Sequence, residues 1–237
     1  MKIVAIIQTR TGSRRFPKKV LKNILNKSLI DWVIYRTKKS SKLKQIILAT
    51  TKLKKDDVLV NIAKKNKISI FRGDEKNVLK RYFEAAKLYN ADLIVRICSD
   101  NPFIDPKQID YLIKKFKNKS FEYAFNHQSR LNTNYADGFG AEIFTFNTLK
   151  KVYLCAKSKS QKEHVTKYIW DNLKKFKILP IKSPKKLAYP KFKFDINTPK
   201  DYTLIKNFTK KFKIKINTKA EDIVKFKLLE IGEINNE

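Results

Sequence analysis

The sequence predicts an α/β fold, a mostly parallel sheet with helices on both faces. Three observations predict it. Short β-branched apolar runs alternate with segments of helical spacing, which implies βαβ units. Hydrophobic residues make up 42% and aromatics 12%, enough for a real core, which excludes wholesale disorder. The length, 237 residues, fits one α/β domain, here spanning 1–237.

Lys2 to Ile7 reads as a buried strand, short and β-branched. Gln8 to Lys19 breaks the periodicity and is polar and basic. Ser28 reads as an N-cap, with Asp31 three residues on and an apolar stripe of Leu29, Trp32 and Val33. Gln45 to Thr50 is the second strand, and Asp56 to Lys65 a helix with Leu59, Ile62 and Ala63 inward. Ile68 to Phe71 is the third strand. Asp74 is expected to cap a helix presenting Val78, Leu79, Tyr82, Phe83 and Ala86. Asp92 to Ile97 is the fourth strand, and Ile109, Leu112, Ile113 and Phe116 mark the next helix. Residues 121–146 change character, with aromatic strand-like runs at Phe121 to Phe125 and Glu142 to Phe146. They read as an antiparallel excursion from the sheet and a candidate dimer contact. Gln161 to Phe176 is expected to be helical and Phe192 to Ile196 a further strand. Thr198-Pro199-Lys200-Asp201 starts a helix, with Thr as N-cap, Pro at N1 and Asp at N3. The tail, Lys211 to Glu237, is expected to hold a strand and then a helix capped by Thr218.

The formal net charge is +32, from 54 Lys+Arg against 22 Asp+Glu, which raises a nucleic-acid partner as the first question. The cations divide into 46 Lys and 8 Arg. The lysines are spread along the chain, mostly as pairs on solvated helix faces, which reads as a diffuse background. A nucleic-acid binder concentrates charge on one stripe or tail. The arginines stop at Arg130, and Arg10, Arg14 and Arg15 cluster near the start. An Arg kept in a Lys-rich chain points to a need for a planar, bidentate donor, and phosphate is the obvious client. Arg36 and Arg81, at helical positions, read as structural ion pairs. No apolar run reaches the roughly 18 residues of a membrane span. A short apolar start without a small-residue cleavage site gives no signal peptide. Two cysteines, Cys98 and Cys155, fit a reducing cytoplasm.

In an open parallel sheet, ligands bind beyond the carboxyl ends of the strands. The loop after the first strand, Gln8 to Lys19, holds Arg10, Gly12, Ser13, Arg14, Arg15, Lys18 and Lys19. Backbone N–H groups around Gly12 and Ser13, with the cationic heads, would cradle an anion. GxGxxG and GxxxxGK[ST] are both absent, which excludes a dinucleotide fingerprint and a Walker loop. After the fourth strand, Asp100 is a candidate Mg²⁺ ligand, or equally the N-cap of the next helix. Asp195 is a candidate second oxygen ligand and Asn197 a weaker neutral one. His127 and the cysteines match no zinc spacing and read as packing or surface.

These residues carry a family resemblance. The chain is similar to the cytidylyltransferases that activate acidic sugars, the 3-deoxy-manno-octulosonate and acylneuraminate enzymes. It resembles most the spore coat polysaccharide biosynthesis protein F branch. Arg10, Ser13, Arg15, Pro17 and Lys19 match the RxxSxRxPxK signature, and Val95 to Pro102 the strand-then-Asp motif. Arg72-Gly73 with Asn77 to Tyr82 resembles the RG-x(4)-VLxRY segment. Asp137-Gly138 to Glu142 resembles DGxxxE, and Glu163 to Thr166 resembles EHVT. Ile196 to Asp201 stands for the (V/I)DTPED motif. There the family's metal-binding Asp is Asn197, and Asp195 is in reach to compensate. The branch's second acid within DGxxxE is replaced by Gly140.

The resemblance implies a Rossmann-like nucleotide-diphospho-sugar transferase fold, a mostly parallel three-layer sandwich with a small antiparallel excursion at 121–146. It implies a nucleotidyltransferase in which an acceptor oxygen attacks the α-phosphorus of CTP and pyrophosphate leaves. Arg10, Arg15 and Lys19 would neutralise the triphosphate, and Gly12 and Ser13 would donate to it. Asp100, with Asp195 or Asn197, would hold Mg²⁺. Ala49 and Thr50 correspond to the base-contacting segment, Arg72 would border the nucleoside, and Arg96 joins the nucleotide-binding set. Arg130, Asp137, Glu142 and His164 would face an acidic sugar acceptor; His164 has a suitable pKa range for a base, though a helix-start His beside Glu163 is more often orienting. A homodimer is implied. The rival readings are a related nucleotidyltransferase or glycosyltransferase, and a basic nucleic-acid-binding protein.

Overall fold

A computed structural model describes residues 1–117 and 120–234. The chain opens with β1 (Ile3–Gln8), then a small hairpin of β2 (Asn23–Ile24) and β3 (Lys27–Ser28), then α1 (Leu29–Thr37). The expected cap forms, because the Ser28 hydroxyl accepts from the Asp31 N–H at 3.2 Å. β4 (Gln45–Thr51), α2 (Asp57–Lys65), β5 (Ser69–Gly73), α3 (Val78–Leu88), β6 (Leu93–Cys98) and α4 (Pro106–Phe116) continue the predicted alternation. β7 (Tyr123–Phe125), β8 (Glu142–Thr145) and α5 (Phe146–Cys155) follow. Next come two short helices, α6 (Lys159–Glu163) and α7 (Lys167–Asp171), then β9 (Ile178–Pro180), α8 (Pro199–Lys211) and α9 (Ala220–Glu230).

Seven strands form one sheet in the order β5-β4-β1-β6-β8-β7-β9. β5, β4, β1 and β6 run parallel, and β8 pairs antiparallel with both β6 and β7. The period of two along β1 sends Ile3, Ala5 and Ile7 to one face and Val4 and Ile6 to the other. The first face packs on α1, α2, α4, α8 and α9, and the second on α3, α5 and α7. The result is the expected three-layer α/β sandwich. Among the described residues no helix is long and apolar enough to cross a membrane.

Several elements differ from the sequence expectation. The aromatic runs at 121–146 are antiparallel, as expected, but β7 and β8 extend the main sheet instead of leaving it. Asp74 does not cap α3: its Oδ1 accepts from the Lys76 and Asn77 N–H groups, and Asn77 is the cap. Asp100 is not a cap either, since Asp105 takes the N–H groups of Lys107 and Gln108 at the start of α4. The helix expected over Gln161 to Phe176 is broken at His164, whose backbone is extended, and again after Asp171. Phe192 to Ile196 forms only one bridge, Asp137 to Lys193. Its alternation comes from Phe194 and Ile196 packing into the core without a partner strand. The tail forms no strand before α9, and Thr218 receives the Lys215 N–H without capping the helix. Residues 235–237 of that tail lie outside the described residues. The Thr198 capping box forms as expected, with Pro199 at its first turn.

Candidate active site

The chain runs from β1 outward to β4 and β5, then returns to β6 on the other side of β1. The strand order therefore reverses at β1, where a crevice opens outside the carboxyl ends of β1 and β6. Both candidate loops, Gln8 to Lys19 and Ser99 to Pro102, leave from that point.

The first loop is braced at several points. Thr9 N–H donates to the Ala49 carbonyl at 3.1 Å, and Lys18 N–H donates to the Thr11 carbonyl at 2.9 Å, which closes the loop on itself. Thr11 N–H and hydroxyl both donate to Asp56 Oδ1, at 2.8 and 2.6 Å. Arg10 donates to the Glu75 carbonyl at 3.0 Å and lies 3.7 Å from the Glu163 carboxylate. Gly12 lies beneath a Lys55–Glu75 ion pair, and a Cβ there would stand 3.0 Å from Lys55 Nζ. Thr9, Arg10, Ser13, Arg14, Arg15, Lys19, Ser99 and Glu163 line a cleft of about 300 Å³. Arg14 and Arg15 are exposed in it. The predicted cationic cluster is thus assembled in one open cleft.

Lys19 joins this cleft to a second cavity. Its ammonium, largely buried, donates to the Ile196 carbonyl at 2.6 Å and lies 3.5 Å from Asp100 Oδ2. Ile196 N–H in turn donates to the Asp100 carbonyl at 2.9 Å, so the two loops are pinned together. Asp100, Asp137 and Asp195 all line the second cavity, of about 360 Å³. Burial, then the Asp195 and Asp100 charges, push the Asp137 carboxyl up to about 7. Burial and Asp100 also raise Asp195. Asn197 Nδ2 donates to Asp195 Oδ2, which brings the two candidate ligands together.

Asp100, Asp195 and the Asn197 amide oxygen are hard donors, and the mutual carboxylate repulsion is what a divalent cation would relieve. Among the described residues no three His, Cys, Asp or Glu side chains enclose a metal by themselves. The donor set therefore fits Mg²⁺ only with phosphate oxygens completing its shell.

Glu142 stands directly opposite Arg96 in the β6–β8 register. Its carboxylate, 1% exposed, pairs with Arg96 and accepts from the hydroxyls of Tyr123 and Thr166. Burial acts to raise its pKa, but the charges of Arg96 and His127 and the hydrogen bonds from Tyr123 and Arg96 hold it at about 2. Glu142 is thus a fully engaged wall of the cavity. Arg96, expected on the nucleotide side, lines this cavity instead. His164 is exposed at its edge, and the exposed Arg130 stacks on Trp170 at 4.6 Å. Sequence reasoning missed His127, which also lines the cavity; burial pushes it down to about 4, and its Nδ1 has no partner among the described residues. Tyr123 and Asp56 were missed too, since only their buried hydrogen bonds to Glu142 and Thr11 mark them.

Five predicted residues, Gly12, Ala49, Thr50, Arg72 and Asn197, line neither cleft. Ala49 and Thr50 are fully buried at the end of β4. Arg72 donates to the carbonyls of Thr51 and Leu53, both at 2.9 Å, and pairs with Asp57 at 2.7 Å. It clamps the β4–α2 turn. Gly140 also has a physical reason: a Cβ there would stand 1.9 Å from the Asn126 carbonyl oxygen, so no acidic side chain fits.

A cytidylyltransferase family model matches residues 4–237. Uncharacterized protein MJ1063 of Methanocaldococcus jannaschii is 38% identical over 230 residues, covering 95% of this chain and 90% of that protein. Spore coat polysaccharide biosynthesis protein SpsF of Bacillus subtilis is 27% identical, over 94% of this chain and 92% of its own. The solved structure of a cytidylyltransferase from Leptospira borgpetersenii superposes with a TM-score of 0.89 at 31% identity, covering 100% of this chain and 98% of that one. A cation-lined cleft at the strand-order reversal, a carboxylate cavity beside it and a match over nearly every residue agree that this chain belongs to the cytidylyltransferase family.

Proposed function

We propose that the chain transfers the cytidylyl group of CTP to an acidic sugar acceptor of the nonulosonic or octulosonic type, releasing pyrophosphate. The product would be a CMP-activated sugar for surface polysaccharide or glycan synthesis, and the name of the spore coat relative supports that setting. One observation carries the reading. The arginine-lined cleft meets the carboxylate cavity at Lys19, which touches both Asp100 and the Ile196 carbonyl. A triphosphate in the cleft would have its α-phosphorus at that junction, with the acceptor in the cavity.

The acceptor oxygen forms a bond to the α-phosphorus as the bond to the β-phosphate oxygen breaks, and the hydroxyl proton leaves to the medium or to a nearby base. Arg10, Arg15 and Lys19 balance the charge growing on the departing pyrophosphate, with Gly12 and Ser13 N–H groups as neutral donors. Mg²⁺ would be held by Asp100 with Asp195 or Asn197, and would supply charge neutralisation at the α-phosphate. Arg130, Asp137 and His164 border the acceptor, while the Arg96–Glu142 pair shapes its wall. Ala49, Thr50 and Arg72 act from behind the nucleotide, by holding β4 and its turn. We further expect a cytoplasmic homodimer built from one domain, with 121–146 contributing to its contact.

The test is pyrophosphate release from CTP, Mg²⁺ and a panel of acidic sugars, compared with ATP, GTP and UTP. CTP-selective release supports the reading. Arg15→Ala and Asp100→Ala should abolish it with the fold intact by circular dichroism. Turnover retained in both variants would move the site elsewhere.

A further inference from the structure

The loop that carries the candidate phosphate ligands has no regular structure, yet it must present Arg10, Arg15 and Lys19 in register. Its bracing is concentrated on one side chain. Asp56 is 0% exposed. Its Oδ1 receives both the N–H and the hydroxyl of Thr11, at 2.8 and 2.6 Å, and its Oδ2 receives the Thr51 hydroxyl. Thr11 is also the closing point of the loop, since its carbonyl accepts the Lys18 N–H at 2.9 Å. Holding Thr11 therefore holds both the outgoing limb, with Arg10, and the returning limb, with Lys19.

The turn that carries Asp56 is itself braced. Arg72 donates to the Thr51 and Leu53 carbonyls, both at 2.9 Å, and pairs with Asp57 at 2.7 Å. From the other side Lys55 and Glu75 close over Gly12. The contacts thus run from β5 through Arg72 to the β4–α2 turn, and through Asp56 to the loop. A buried carboxylate taking three donors is a charge-assisted, directional anchor, and it occupies a Thr11 N–H that would otherwise compete for phosphate.

We propose that Asp56, braced by Arg72, is the positioning residue of the phosphate loop: it touches no substrate and sets the geometry of Arg10, Arg15 and Lys19 through Thr11. This rests on the reading of that loop as the triphosphate cradle. A displacement of about 1 Å in a positioned group costs on the order of 100-fold, so the effect should be large relative to the loss of one turn.

The experiment compares the wild type with Asp56→Ala, Asp56→Asn, Thr11→Val and a control, Asp110→Ala. Asp110 is a similar clamp on another turn, accepting from Ser41 N–H and hydroxyl at 3.0 and 2.8 Å, and it lines neither cleft. Two quantities are read on the full chain: amide hydrogen exchange over residues 9–19, and CTP affinity with Mg²⁺ by titration calorimetry. Asp56→Ala should speed exchange across 9–19 and weaken CTP binding by on the order of 10–100-fold. Asp56→Asn should recover part of both, since its Oδ1 still accepts from Thr11. Asp110→Ala should change neither, even where it lowers the melting temperature. If Asp56→Ala fails to fold, Thr11→Val, which keeps the carboxylate and one Thr11 donor, should give the same pattern at smaller size. Unchanged exchange over 9–19, or a CTP loss matched by the Asp110 control, overturns the proposal. Faster loop exchange in a chain whose wild type binds no CTP would support the anchor and sink the nucleotide reading instead.

Discussion

Replacing Glu142 with Gln should be among the most damaging isosteric changes in this chain. The carboxylate is 1% exposed and pairs with Arg96, whose Nε already lacks a partner among the described residues. Glutamine keeps an oxygen able to accept from Tyr123 and Thr166, so the loss falls on the ion pair alone. It removes the charge and turns an amide donor toward a guanidinium that is itself only a donor. Breaking a buried pair from one side costs about 3–5 kcal/mol, because the surviving charge stays desolvated. At about 2–4 °C per kcal/mol for a chain of this size, the melting temperature should fall by roughly 6–20 °C. Urea unfolding should give the same loss with an unchanged slope. Removing both charges with Arg96→Met together with Glu142→Gln should cost less than Glu142→Gln alone, since no charge is left uncompensated and the Tyr123 and Thr166 hydroxyls keep an acceptor. The pH dependence has a definite sign. Glu142 is held at about 2, below the ordinary carboxylate value of 4.5, so its contribution is fully present above 4.5. It is lost as pH falls from 4.5 toward 2, and the variant should lack that part of the acid unfolding curve. A loss below about 1 kcal/mol, the range of an exposed pair, would refute the account of a buried, mutually dependent pair.

Asn197→Asp should strengthen Mg²⁺ binding by on the order of tenfold, because ligand charge count sets the affinity of an oxygen site. Without Mg²⁺ the same variant should melt at lower temperature, since Asp195, already raised by burial and Asp100, gains a second like charge in place of an amide donor. Calorimetric titration and a thermal scan with and without Mg²⁺ check both, and an unchanged Mg²⁺ affinity removes this loop from the metal site. Gly140→Ala should destabilise by about 3 kcal/mol or more, the upper range for overpacking. Its Cβ would stand 1.9 Å from a backbone carbonyl that cannot rotate away. A normal melting temperature would mean that Asn126 has freedom to retreat.

Local rules carried the first half of the fold. The β1, β4 and β6 strands are largely buried on both faces, so each reads as an apolar, mostly β-branched run whatever its neighbours, while β5 is the half-buried edge strand. The Ser28 and Thr198 caps depend only on residues three apart. Where the sequence misled, tertiary partners had overridden the local pattern. Asp74 has cap chemistry, but Asn77, nearer the helix, takes the role. The pattern over Gln161 to Phe176 is helical, yet Thr166 is drawn to Glu142 across 24 positions and the helix breaks beside it. Phe192 to Ile196 alternates like a strand because its aromatic side chains enter a core, with no ladder beside it. The site shows the same division. The cationic loop and Asp100 follow one strand each and were legible from position in the chain. Glu142 and Asp56 owe their state largely to groups far along the chain, Thr166 at a separation of 24 and Thr11 at a separation of 45.

The arginines show what a charge count alone does not resolve. Their retention among 46 lysines pointed to phosphate, and Arg10, Arg14 and Arg15 do line one cleft. The other five answer a different need. Arg36, 2% exposed, spans the carbonyls of Ile104, Ile216 and Thr218, tying α1 to the segments before α4 and α9. Arg72 spans two carbonyls of one turn, Arg81 holds the Asp74 carbonyl from inside the protein, Arg96 meets Glu142, and Arg130 lies flat on Trp170. Of the two arginines expected to form ion pairs, Arg36 does so with Asp105 at 3.7 Å, while Arg81 has no carboxylate partner among the described residues and burial lowers it to about 10. A lysine is a point donor and cannot bridge separated carbonyls or stack as a plane. Arg36 and Arg72 use the fork and Arg130 the plane, and phosphate is one of several groups that call for such a donor. The +32 charge adds little to that distinction, because lysines on solvated faces supply most of it without forming a concentrated surface. Five of the eight arginines organise the protein, and three remain in the cleft at the strand-order reversal, where a small polyanion can reach them.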